Sequence, residues 1–390
     1  MKKILFVCLG NICRSPGAEA IMKAWIKKEG KEKEFLIDSA GLYSGHAGAL
    51  PDERMRRHAS RRGYVLDSRA RTFYPTADFA EFDMIIGMDD QKNVIQSVAE
   101  KAKKAGKKVG VTTSVSVDHA TPAAFYAHQP NRSMYYEIAL DLPKANFDFY
   151  AGGGFLKPTT TADKKEAPSI FPMFEEAGYT IARGYNDYKA KAAVAGKMIL
   201  IQEEGADTGS LPYAIDSKEG DLTLAQITES AIDFLTKGKN KGFFLMVEGG
   251  KIDWACHGND AATVFHEVAD MDNAIKVAYE FYKKHPKETL IVVTADHETG
   301  GIALGTGKYA LNLKALENQK ASAEVLSKKI SDLRKAKNNH VAWEDIKNLL
   351  SEEMGFWSVL PITWEQEKKL RDEYEKSFVR NKVEFAELLW

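Results

Sequence analysis

Short apolar runs alternate with amphipathic stretches along the first ninety residues. Ile4-Leu5-Phe6-Val7 is closed by a glycine-containing turn, and predicts a buried, parallel-type strand over 3–9. Ala18, Ile21, Met22 and Trp25 then recur at i, i+3, i+4 and i+7. That spacing predicts a helix over 15–28 with one apolar face, Ser15 as N-cap and Pro16 in the first turn. Phe35-Leu36-Ile37 and Met84-Ile85-Ile86 read as further buried strands, which makes this part βαβ in type. A Lys-rich amphipathic segment, Val94 to Lys108, leads into a strand from Val109 to Val115. Phe243-Phe244-Leu245-Met246-Val247 and Leu290-Ile291-Val292-Val293 predict two more strands, each followed by acidic residues or Asp-His. From about Leu311 to Glu353 the chain is highly charged and reads as helical. The fold class expected is α/β, with parallel-type sheets flanked by helices, and no internal repeat is seen.

Polar residues at the strand ends carry the candidate chemistry, as open α/β sheets place their sites there. Cys8-Leu9-Gly10-Asn11-Ile12-Cys13-Arg14-Ser15 follows the first strand and enters the first helix. Amides between Cys8 and Arg14 can curl into a nest for three phosphoryl oxygens. Arg14 can grip two of those oxygens in a fork, and Ser15 can donate to the sulfur. A helix N-terminus and a nearby arginine lower a thiol pKa, so Cys8 reads as a nucleophile forming a phosphocysteine intermediate. The bland alternative is a structural loop with two buried cysteines.

A second constellation is Glu248-Gly249-Gly250-Lys251-Ile252-Asp253-Trp254-Ala255-Cys256-His257, followed later by Thr294-Ala295-Asp296-His297. Asp253 and His257 are four apart, and on a helix they share a face and can chelate one ion. Asp296 and His297 at a strand end can be splayed toward one metal. Glu248 is an oxygen ligand of the kind that suits Mg²⁺. Taken singly, Asp-x3-His is more often a helix-face ion pair, Asp-His is common in loops, and Cys256 reads as a packed thiol.

Composition removes several classes. The chain of 390 residues is 44% hydrophobic, enough for more than one core. Net charge is −1, which gives no global field for nucleic acid or a membrane surface. Three cysteines make no disulfide framework and fit a reducing compartment. No apolar stretch is long enough to span a bilayer. The N-terminal apolar run is too brief for a signal peptide and no cleavage site follows, so a cytoplasmic location is expected.

These strings carry two family resemblances. CLGNICRSP, with Ile37-Asp38-Ser39-Ala40-Gly41 and Gly87-Met88-Asp89 in order, resembles the low-molecular-weight protein tyrosine phosphatases over roughly 1–93. The resemblance implies Cys8 as nucleophile, Arg14 as phosphate clamp with Ser15 in the phosphate loop, Asn11 as loop brace and Cys13 as redox partner of Cys8. It also implies phosphotyrosine as substrate. The family's downstream Asp-Pro-Tyr-Tyr-like acid loop has no counterpart here. Without a general acid, typically worth about 10²–10⁴-fold, slow turnover or a trapped phosphoenzyme is expected.

From about Val98 onward the chain resembles alkaline phosphatases. The matching strings are TSVSVDHATPAA at 113–124, His128 to Arg132, Ala151-Gly152-Gly153-Gly154-Phe155 and Val293 to Gly301. By that resemblance Asp253 and His257 would bind one Zn²⁺, Asp296 and His297 a second, and Thr121 and Glu248 Mg²⁺. Arg132 would hold the substrate phosphate, with His119 and Trp254 beside the metals. Three family features have no counterpart: an Asp bridging Zn²⁺ and Mg²⁺, a Ser nucleophile, and a last His ligand. Asp38-Ser39-Ala40 mimics the nucleophile segment in the wrong context, and His340 reads as a surface helix residue.

The organisation expected is a tyrosine-phosphatase-like segment over 1–95 and an alkaline-phosphatase-like three-layer α/β/α domain over 96–390. The latter carries a charged helical insertion at about 311–353, and the junction falls between Gln91 and Glu100. Either the first part covers the sheet edge that the replaced front would have filled, or apolar strand surface stays open. The leading expectation is metal-dependent hydrolysis of small phosphate monoesters. Alternatives are hydrolysis through Cys8 and Arg14, a non-catalytic phosphate or metal binder, or a fusion product without selected function. The second resemblance also admits a homodimer and an exported ancestor.

Overall fold

A computed structural model describes residues 1–8, 10–74, 77–78, 81–82, 84–86, 97–203, 209–238, 241–301 and 312–379. Gly87-Met88-Asp89 and the junction residues 91–96 lie outside the described residues. Strands β1 Lys2–Cys8, β2 Phe35–Gly41 and β3 Met84–Ile86 form a parallel sheet in the order β2-β1-β3. The helix Arg14–Lys28 connects β1 to β2, completing the βαβ unit. Leu5 is fully buried in a small core with Ala40, Phe73 and Phe82.

The second sheet is also parallel, in the order β6-β7-β5-β4-β8. Its strands are β4 Lys108–Thr113, β5 Phe149–Ala151, β6 Tyr179–Arg183, β7 Lys197–Ile201 and β8 Phe243–Glu248. Period-two alternation sends Phe149, Met198 and Leu200 into one core and Tyr150, Ile199 and Ile201 into the other. A parallel sheet covered on both faces demands such runs. Each fully buried large side chain contributes roughly 1.5–3 kcal/mol. The helices Ala323–Ala336, Trp343–Met354 and Trp364–Tyr374 close a third core around Leu326, Ile346, Leu350 and Leu370. Gly153 lies so close to Ser210 that a Cβ there would sit 2.3 Å from its carbonyl carbon, so only glycine fits. Among the described residues, no helix is long and apolar enough to cross a membrane.

Three local expectations fail. The first helix starts at Arg14 with Cys13 as N-cap, and it buries Ser15, Glu19 and Ile26. Ile21 and Trp25, on the face expected to be buried, are exposed. The inward face is decided by polar partners of Glu19, described below. Second, Leu290–Val293 forms no strand, and Leu290 and Val292 are 85% and 73% exposed. A strand needs a neighbour for its backbone groups. Among the described residues β8 ladders with β4 alone, and the first sheet stands as a separate sheet. Third, His340 lies in an exposed turn between two helices.

Candidate active site

The loop after β1 turns through Asn11 at φ 51°, a left-handed conformation that Asn tolerates. This reversal points backbone amides inward. The Asn11 amide donates to Cys8 Sγ at 3.3 Å and the Ser15 hydroxyl donates to it at 3.1 Å. Half-burial pushes the Cys8 thiol up, but the Ser15 hydroxyl and the amides of Ser15, Asn11 and Gly10 outweigh it. The thiol therefore sits below the ordinary cysteine value, which favours the nucleophilic thiolate. Cys13 moves the other way, raised by burial and by the neighbouring Asp52 and Cys8 charges.

A buried network holds this loop. Asn11 Nδ2 donates to Ser15 Oγ and to Ser39 Oγ, both at 2.8 Å. The Ser39 hydroxyl donates to Glu19 Oε2 at 2.6 Å, and Lys23 pairs with the other carboxylate oxygen. The Arg71 amide donates to Asn11 Oδ1 at 2.8 Å. Asn11 is 2% exposed, so its amide is almost fully satisfied from inside. Above the sulfur lies a cleft of about 230 Å³, walled by Gly10, Ile12, Cys13 and Arg14 of the loop and by Tyr43 and His46 opposite.

The second constellation gathers at the carboxyl ends of β4 and β8. Thr113 and Glu248 are paired across the two strands, and the Thr113 hydroxyl donates to Glu248 Oε2 at 2.5 Å. Burial raises the Glu248 carboxyl, the Thr113 and Thr121 hydroxyls lower it, and the Asp296 and Asp253 charges raise it again. The net position is above the usual carboxylate range. Asp253 and His257 lie on the helix Gly250–His257 with Oδ2 and Nε2 3.5 Å apart. Asp253 Oδ1 accepts from the Thr299 hydroxyl at 2.6 Å. Asp296 and His297 approach to 3.3 Å. His119 stacks edge-on to Trp254 at 5.5 Å and lies 3.5 Å from the Arg132 guanidinium. Burial and the Arg132 charge push its imidazole down, against Asp253.

The expected metal ligands thus share one neighbourhood but do not close around a point. Among the described residues, no three His, Cys, Asp or Glu side chains converge to hold a metal ion. The His257 and Asp296 side chains are 71% and 73% exposed. In this arrangement the donor set does not fit a closed Zn²⁺ or Mg²⁺ centre, which needs four to six converging donors.

Sequence reasoning passed over Thr113, Thr299, Ser39 and Glu19. Strand register links Thr113 to Glu248, a relation between distant strands that neither segment shows by itself. Ser39, in a string that mimics a nucleophile segment, instead joins Asn11 to Glu19.

A thiol of lowered pKa held by loop amides and a carboxylate-imidazole neighbourhood at strand ends are both arrangements that phosphoryl transfer can use. Through its first part the chain belongs to the low molecular weight phosphotyrosine protein phosphatase family, whose model matches residues 3–121. That match runs on through β4, a strand of the second sheet. The longer part is similar to alkaline phosphatases, and the alkaline phosphatase model matches residues 206–368. A Synechocystis sp. protein named for the first family is 42% identical over 143 residues, 36% of this chain and 88% of its own. Alkaline phosphatase 4 of Bacillus subtilis is 34% identical over 297 residues, 74% of this chain. The chain spans 61% of that relative's length. A cold-active alkaline phosphatase from a psychrophilic Shewanella species superposes with TM-score 0.59 at 25% identity, covering 96% of this chain and 84% of that one.

Proposed function

We propose that this chain hydrolyses phosphate monoesters and that Cys8, gripped by the loop ending in Arg14, is the group that attacks phosphorus. The observation carrying this reading is the Cys8 sulfur itself, which receives the Asn11 amide and the Ser15 hydroxyl and has its thiol pKa lowered. An aryl phosphate would enter between Tyr43 and the loop, with Arg14 forked onto two phosphoryl oxygens. Three free cysteines, Cys8, Cys13 and Cys256, fit a reducing compartment in which this thiol stays available.

A second reading, metal-dependent hydrolysis of the alkaline phosphatase type, is favoured by one observation. Glu248, Asp253 and Asp296 lie near enough for their charges to raise the Glu248 carboxyl. A divalent cation would relieve that repulsion. On this reading Thr121 joins Glu248 at Mg²⁺, Asp253 with His257 and Asp296 with His297 take Zn²⁺, and Arg132 orients phosphate beside His119 and Trp254. No catalytic step is derived through these ions, because the donors do not converge.

Hydrolysis of p-nitrophenyl phosphate by the purified chain separates the two. On the first reading it persists in EDTA and is lost in Cys8→Ser. Loss on chelation with full activity in Cys8→Ser would place the chemistry on the carboxylate cluster instead.

A further inference from the structure

The cleft over Cys8 has a nucleophile and a phosphate grip, but none of the described residues lining it is a carboxylic acid. A departing ester oxygen needs a proton, so the lining residues were compared as donors. Arg14 never releases its proton in a protein. The Cys13 thiol is pushed up by burial and by Asp52 and Cys8. Imidazole is the side chain whose charge changes between pH 5 and 8, and His46 is the one imidazole on the wall.

His46 is held on the cleft wall. It ends the 3-10 turn Ser44–His46, which is tied by bonds from Ala47 and Ala49 amides to the carbonyls of Ser44 and His46. Its ring packs edge-on to Tyr43, with centroids 5.2 Å apart. Gly45 allows that packing, since a Cβ there would sit 2.3 Å from the Tyr43 ring. Across the cleft, a Cβ built on Gly10 would lie 3.1 Å from His46 Cδ2 and 3.7 Å from Nε2. The Nε2 edge therefore overhangs the phosphate loop. The other charged and titratable groups around the cleft are Cys8, Cys13 and Arg14 from the loop and Tyr43 from the turn. Beyond Cys13 come Asp52 and Arg54. Asp52 is occupied, accepting from the amides of Arg54 and Met55 as an N-cap.

We propose that His46 is the general acid and general base of the Cys8 reaction. This rests on the reading of Cys8 as the nucleophile. In the first step the thiolate forms the S–P bond and the P–O ester bond breaks. The electron pair goes to the leaving oxygen, which takes the Nε2 proton of the imidazolium. In the second step water attacks phosphorus and gives a proton to the now neutral imidazole. The S–P bond breaks, its electron pair returns to sulfur, and thiolate and imidazolium are restored.

The test uses the full chain in EDTA and compares kcat/KM for phenyl phosphate and p-nitrophenyl phosphate in the wild type, His46→Asn and Cys8→Ser. Phenolate leaves poorly without a proton and nitrophenolate leaves well. His46→Asn is expected to lower kcat/KM about 10²-fold or more on phenyl phosphate and far less on p-nitrophenyl phosphate. The fall of phenyl phosphate kcat/KM at high pH should vanish with it, while inhibition by inorganic phosphate is retained, showing an intact loop. Equal losses on both substrates, or a high-pH limb that survives the substitution, would overturn the role of His46 while leaving Cys8 in place. No EDTA-resistant, Cys8-dependent hydrolysis in the wild type would overturn the Cys8 reading and this one with it.

Discussion

Removing the Ser15 hydroxyl isolates the device that activates Cys8. In Ser15→Ala the donor at 3.1 Å from the sulfur disappears, while the Asn11 amide at 3.3 Å remains. Burial, which pushes the thiol up, is unchanged. A hydrogen bond to a charged group is worth about 1.5–3 kcal/mol. At about 1.4 kcal/mol per pKa unit, the Cys8 thiol should rise by roughly one to two units. The assay is the rate of Cys8 alkylation by iodoacetamide against pH, resolved from Cys13 and Cys256 by peptide mass spectrometry. Ser15→Ala also leaves one Asn11 Nδ2 bond without its acceptor, so some loss of stability accompanies it. Ser15→Thr keeps the hydroxyl and should restore the midpoint, which separates activation from folding. A Cys8 midpoint that does not move in Ser15→Ala would refute the reasoning, because the sulfur would then owe its ionisation to the amides alone.

Two further predictions concern the larger part of the chain. Asp118 is fully buried, accepts from the Leu156 amide at 3.0 Å, and has its carboxyl raised by burial from 3.8 to about 6. A proton held more tightly in the folded state favours folding at low pH, and that contribution is lost as pH rises through about 6. The charged form then costs about 3 kcal/mol at neutral pH. Asp118→Asn should recover much of this at pH 8 and little at pH 4, and urea unfolding with the same pH dependence in both proteins would sink the assignment. Leu290 and Val292 are exposed, and among the described residues the edge strand β8 ladders on one side only. Leu290→Lys with Val292→Lys should reduce self-association in light scattering without changing the unfolding midpoint. Unaltered association would show that this segment is not the sticky surface.

What was legible in the sequence was whatever the chain places within one turn of itself. Cys8 at the end of a strand, Asn11 in the loop, and Arg14 and Ser15 in the first turn of the helix lie within eight residues, so local geometry fixes their relation. Asp253 and His257 are one helical turn apart and meet for the same reason. Relations set by pairing between distant elements were harder to see. Thr113 reaches Glu248 because β4 and β8 align in that register, and Thr299 reaches Asp253 from a separate loop. The orientation of the first helix shows the physical reason most clearly. Apolar periodicity weighs the gain from burying Ile21 and Trp25, but it cannot weigh a carboxylate that finds partners inside. Glu19 accepts from Ser39 and pairs with Lys23, so its burial is compensated and the helix turns that side inward. The same limit applies to Leu290–Val293, whose composition is right for a strand. Apolar content supplies the propensity, whereas a ladder also needs a neighbouring backbone, and none among the described residues supplies one. A strand at that position therefore depends on whatever pairs with the segment, and its own sequence cannot bring that about.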